Sequence, residues 1–227
     1  MGGILFDLTT AWLLMLMAKC GVNLLGSGPL TRRPVPWVAV GLTGVAVAGV
    51  GVQLCWAGAM AALDDDPRRH GWWRVLTSVF LQNGGVFGAV WNLVTLAVVA
   101  ALAQWFWGGP LTLGLFAAGV LLPQHLDALL GLRGHGTDPR DFAGSSGATY
   151  FLAATLAAGL LLRAATRTHR LLALAVPAVG LALWAIQGNE HGLVAVYGFL
   201  LGLAVLPLFG GGPALTPRAA SVRSPRP

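Results

Sequence analysis

The sequence predicts an all-α polytopic membrane protein, and three observations predict it. Of its 227 residues, 56% are hydrophobic. Only 10% are charged, against roughly 25% in soluble domains, which is too few to coat a soluble surface. The apolar residues also gather into six long uncharged runs, at 36–63, 86–107, 110–126, 144–162, 171–187 and 192–209. A hydrocarbon core is crossed by roughly 20 residues of helix. Lipid offers no partners to open backbone groups, so such runs must cross as helices.

The segments follow in order. Residues 1–34 form an N-terminal apolar segment, whose run 8–31 carries Lys19 near its middle and ends in Gly26, Gly28 and Pro29. It reads as an extra span, as a helix lying in the interface, or as a poorly inserted segment, and the extra span is preferred. No Lys or Arg precedes the first apolar run, so a cleavable signal peptide is not expected. The membrane domain covers 35–210, with its third run extending through Asp127 to 132. Two long loops interrupt it, at 64–85 with the half-apolar stretch around Trp72 and Trp73, and at 133–143. The tail 211–227 is rich in Pro, Gly, Ser and Arg and reads as disordered. There is no internal repeat, which speaks against a transporter built from two similar halves.

The net charge of +6 does not point to nucleic acid, because the arginines are scattered over loops rather than gathered on one face. They carry topology instead. Arg32 and Arg33 precede the first run, Arg163, Arg167 and Arg170 separate the fourth from the fifth, and Arg218, Arg223 and Arg226 lie in the tail. All fall on one side of a six-fold crossing. The opposite loops hold Asp64 to Asp66, Asp138, Asp141 and Glu190 beside their own arginines. The positive-inside rule then puts the core N-terminus and the tail in the cytoplasm of a cell that carries the protein in its plasma membrane. Cys20 and Cys55 read as small buried hydrophobes. No metal or cofactor is expected.

Polar groups inside spans are expensive, so each one invites a functional reading. Gly144-Ser145-Ser146-Gly147 opens the fourth run. By itself it is an ordinary small-residue packing motif. A serine there also sits beside unpaired helix N–H groups and the positive end of the dipole, where an oxyanion can be held. His191 opens the sixth run, which is parallel to the fourth, so Ser146 and His191 lie at similar depth, as a nucleophile and its general base must. Asn92 lies about two turns into the second run from the same side, at a depth where its amide can donate to that oxyanion; its bland reading is an interhelical hydrogen bond. His125 and Asp127 do not share a helix face. A metal site there would need a further ligand such as His135, and both read as interfacial. The acidic run Asp64 to Asp66 reads as a solvated loop.

Taken together, these residues resemble the rhomboid intramembrane serine proteases. The resemblance covers about 35–209 and rests on the six runs, Trp73-Arg74 in the first long loop, the GxSG pattern at Gly144 to Gly147 and the histidine opening the last run. It implies a rhomboid-like bundle of six transmembrane helices with a Ser146–His191 dyad and no third acid. It further implies Tyr150 packing on the histidine, Gly198 as the family's glycine seven residues after that histidine, and Asn92 with the backbone N–H groups of Ser145 and Ser146 as oxyanion donors. The expected activity is cleavage of transmembrane protein substrates near the external face of the bilayer. Three positions depart from the family pattern. Asn83 and Gly88 stand where the family places histidines, the one at Gly88 being an oxyanion donor, and Val194 stands where it places a glycine. Losing one such donor typically costs on the order of a hundred- to a thousand-fold in turnover. Asn83 and Gln82 are the side chains placed to compensate. The alternative is a weak or inactive rhomboid-like pseudoprotease that binds transmembrane helices without cutting them.

Overall fold

The structure is a computed structural model that describes residues 2–26, 28, 32–66, 68–132 and 143–209. His135, Asp138, Asp141 and the tail 211–227 with its three arginines lie outside the described residues. Every regular element among the described residues is an α-helix: α1 (Gly2–Leu25), α2 (Trp37–Cys55), α3 (Ala59–Leu63), α4 (Arg74–Ser78), α5 (Gly85–Trp107), α6 (Gly109–Leu129), α7 (Ser146–Arg163), α8 (Arg167–Gln187) and α9 (Glu190–Phe209). Seven of them, all but α3 and α4, are long and apolar enough to cross a membrane.

Six of the seven coincide with the six apolar runs. The seventh is α1, which extends six residues N-terminal of its run and stops at Leu25, before the Gly26–Pro29 breakers. Its Lys19 is exposed and lies six residues from that stop, about 9 Å along the axis. A lysine stem covers part of that distance, its apolar carbons staying in the bilayer while the ammonium points toward headgroups. The first core run is not one helix. It breaks at Trp56, whose backbone is extended, and resumes as the short α3. Nineteen residues of α2 already cover about 28 Å, which is the hydrocarbon thickness. Cys20 is buried as expected, whereas Cys55 is exposed. It is the last residue of α2 and faces outward, and hydropathy does not distinguish a lipid-facing from a protein-facing position.

Short connections make antiparallel hairpins of α5–α6, α7–α8 and α8–α9. The last is closed by Gly188, whose φ of 62° ends α8 in the left-handed conformation that favours glycine. The starts of α5, α7 and α9 therefore share one end of the bundle with the ends of α2, α6 and α8. Hydrogen bonds from Thr9 and Thr10 place the N-terminal part of α1 at that end too. At the other end Arg33 donates to Leu25 O at 2.8 Å and Arg163 lies 4.7 Å over the Phe106 ring.

Helix α7 is the hub. The ring around it runs α9, α8, α1, α5, α6, with α2 outside against α5 and α6. Every residue from Ala148 to Leu160 is buried; the Ala, Thr and Gly residues that make up most of this stretch let neighbours approach closely. The closest approach is with α9. A Cβ on Gly198 would fall 2.2 Å from the Phe151 carbonyl oxygen, and one on Gly202 would fall 2.9 Å from Thr155 Cα. The two glycines, four apart, form one small face.

Candidate active site

Ser146 is the first residue of α7 and His191 the second of α9. The close α7–α9 crossing brings their first turns side by side, and His191 Nε2 lies 3.0 Å from Ser146 Oγ. When the imidazole carries its proton on Nδ1, the serine hydroxyl donates to Nε2, the arrangement a general base needs. Tyr150, one turn below Ser146, is buried and sets its ring edge-to-face on the imidazole at 4.8 Å. The backbone of His191 is held as well, since its N–H donates to Asn189 Oδ1 at 3.1 Å.

The polypeptide approaches α7 through Gly144, whose φ is 143°, in the region that favours glycine. Its N–H donates to Ser78 O at 3.0 Å, tying the start of α7 to α4. A Cβ at Gly144 would sit 3.6 Å from Ser146 Oγ, 3.7 Å from Asn92 Nδ2 and 3.9 Å from Ser146 N. The hydroxyl, the side-chain amide and a helix-terminal N–H thus converge on one small space that a missing side chain leaves open. Convergent donors of this kind suit a developing oxyanion. Gly144→Ala is expected to fill that space and strain the backbone. Its measured kcat/KM should fall about a hundred-fold with a smaller loss of thermal stability.

Asn92 is held in turn. Its Nδ2 donates to Gln82 Oε1 at 2.8 Å, and Gln82 Nε2 lies 3.5 Å from Ser145 Oγ. Gln82 is buried, and its backbone is locked to Gln53 of α2 by a reciprocal pair: its N–H donates to Gln53 Oε1 at 2.7 Å and its carbonyl accepts from Gln53 Nε2 at 2.9 Å. Of the two candidates for the space of the missing histidine, Gln82 points to the site, whereas Asn83 Oδ1 accepts from Gly84 N–H at the start of α5. A Cβ at Gly88 would fall 2.8 Å from Asn83 O, so a side chain there requires the start of α5 to move. Ser145 is fully buried, and its carbonyl accepts from both the N–H and the hydroxyl of Thr149.

A cleft of about 150 Å³ opens onto the pair. Ser78 and Val79 from the α4 region, Pro123 and Asp127 of α6, Gly147, and Val194 of α9 are among its walls. A Cβ at Gly147 would meet nothing within 4 Å. Val194 is buried in the wall below His191, and the helices still close to backbone contact at Gly198. Asp127 accepts from the Tyr197 hydroxyl at 2.7 Å, while exposed His125 bonds Leu121 O at 2.6 Å through Nδ1. The two diverge, as their spacing implies. Arg74 braces the first loop. It reaches Asp64 O at 2.9 Å and the Asp64 carboxylate at 3.4 Å, and it lies 4.9 Å over the Trp73 ring.

The structure therefore brings together Ser146, His191, Tyr150, Asn92, Gly144, Gly147 and Ser145. Gly198 lies deeper at the crossing, and Trp73 and Arg74 stand apart in the loop. Sequence reasoning missed Gln53, Thr10 and Asn189. Gln53 had a signal, as a lone polar residue inside an apolar run. No family model, curated protein or solved structure matches the chain.

Proposed function

We propose that the chain is an intramembrane serine endopeptidase of the rhomboid type. The carrying observation is the 3.0 Å approach of Ser146 Oγ to His191 Nε2 at the first turns of two crossing helices. Nε2 takes the hydroxyl proton as Oγ bonds to the substrate carbonyl carbon. The resulting oxyanion sits near the Asn92 amide and the N–H of Ser146. Collapse breaks the C–N bond, and the imidazolium returns its proton to the leaving amine. Water then enters and gives a proton to Nε2 as its oxygen bonds to the acyl carbon; the C–Oγ bond breaks, the imidazolium returns the proton to Ser146 Oγ, and the new carboxyl end is released.

The substrates are transmembrane segments of other membrane proteins, cut at the end of the bundle that holds the dyad. Among the described arginines, Arg32, Arg33, Arg163, Arg167 and Arg170 lie at the opposite end. The positive-inside rule makes that end cytoplasmic and the site external, in the plasma membrane. Gly147 beside the nucleophile leaves room for an extended peptide backbone. The pseudoprotease reading draws on Gly88, which brings no donor. Against it stands the Gln82–Asn92–Ser145 network, which a mere binding surface does not need.

The test is reaction of purified protein in liposomes with a fluorophosphonate probe, alongside cleavage of a generic transmembrane substrate. Labelling and cleavage that both depend on the dyad support the enzyme. Folded protein that neither labels nor cleaves sinks it and leaves the binding module.

A further inference from the structure

Helix α1 reaches the dyad through one residue. The Thr10 hydroxyl accepts from Asn189 Nδ2 at 2.6 Å and donates to Phe6 O at 2.7 Å. The Thr10 carbonyl accepts from the Tyr150 hydroxyl at 2.6 Å, using the second lone pair that a helical carbonyl keeps. Both partners touch His191. Asn189 takes its backbone N–H, and the Tyr150 ring lies against its imidazole. One residue earlier, Thr9 donates to Gln187 Oε1 at 3.1 Å, so α1 also grips the end of α8.

We propose that Thr10 is a positioning residue for the Ser146–His191 pair, which makes α1 part of the hydrolytic apparatus rather than an added anchor. The inference rests on the protease reading above. Its physical basis is that the first turn of a helix frays unless it is tied down. Only Gly188 and Asn189 separate α8 from α9, so the orientation of Asn189 sets how α9 is rotated and where its second residue points. Asn189 is fully buried. Its amide donates to Thr10, and a buried donor that loses its partner drives a local rearrangement. The Tyr150 contact fixes the ring from the other side. Two links from one residue hold both the backbone and the imidazole plane of His191, and a shift of about 1 Å at a reacting pair is enough to cost turnover heavily.

The experiment uses the full chain in liposomes. Thr10→Val removes the hydroxyl and keeps the shape and the carbonyl. The expected result is a fall in kcat of about tenfold at unchanged KM, matched by slower fluorophosphonate labelling and restored by Thr10→Ser. Asn189→Ala should fall at least as far, and adding Thr10→Val to it should cost nothing more, because the shared link is already gone. Should Thr10→Val not assemble, Tyr150→Phe severs the other link and must itself lower kcat at constant KM. Wild-type turnover by Thr10→Val, a rise in KM alone, or full additivity with Asn189→Ala would each overturn the proposal while leaving the protease reading intact. A wild type that neither cleaves nor labels overturns both.

Discussion

Replacing Ser146 or His191 by alanine is expected to abolish probe labelling and to cut substrate cleavage by at least about 10⁴-fold. Without Oγ there is no nucleophile. Without Nε2 the hydroxyl keeps its proton and the leaving amine receives none. The two losses should not add, since the pair acts as a unit, and the double variant should be no slower than either single one. Stability is a separate matter. Both side chains are only partly buried; the hydrogen bond between them is worth about 1 kcal/mol, and His191→Ala also gives up the Tyr150 ring contact, worth about 0.5–1.5 kcal/mol. The thermal midpoints should therefore stay close to that of the wild type, which makes the kinetic loss interpretable. Cleavage that persists in Ser146→Ala would refute the dyad outright.

Gly198→Ala is expected to give a large loss of stability for a single added methyl group. Two effects oppose each other. Alanine favours a helix over glycine by about 1 kcal/mol. Against that, the new Cβ would stand 2.2 Å from the Phe151 carbonyl oxygen and 2.9 Å from its Cα. These are backbone atoms of a helix buried on all sides, so no rotamer change relieves the overlap. Overpacking of this kind costs about 1–3 kcal/mol and at times more, and the upper end applies here. The net expectation is a loss of about 2 kcal/mol, seen as a lower thermal midpoint in detergent. Because α7 and α9 carry the two halves of the dyad, turnover should fall too, by about a hundred-fold. An unchanged midpoint would mean that α9 already has the slack to step back.

The spans were legible because lipid imposes one demand, and long apolar runs answer it. Where the demand stops, legibility stops. The break at Trp56 follows from bilayer thickness, which an uninterrupted run such as 36–63 does not reveal. The dyad could be read because depth is written in sequence: Ser146 and His191 each open a span from the same side. Rotation about a helix axis is not written there. Gln53 meets Gln82 and Thr10 meets Asn189 only because α2 and α1 are turned to face them. The fate of Gly88 shows the same limit. One turn from Asn92 in sequence, its place as a donor is approached by Gln82 from a different segment altogether.

The burial of α7 bears on how the protein comes into being. This helix is among the least apolar of the seven, yet it is the one most completely shielded from lipid by its neighbours. Released alone into the bilayer, it would present threonines and glycines to acyl chains that offer them little. The earlier helices α1, α5 and α6 cover part of it, and its shelter is complete only when α8 and α9, synthesised after it, fold back against it. Ser146 is thus in place in the nascent chain before His191 has been made. Completion of the last hairpin sheathes the central helix and brings His191 to Ser146 in one step.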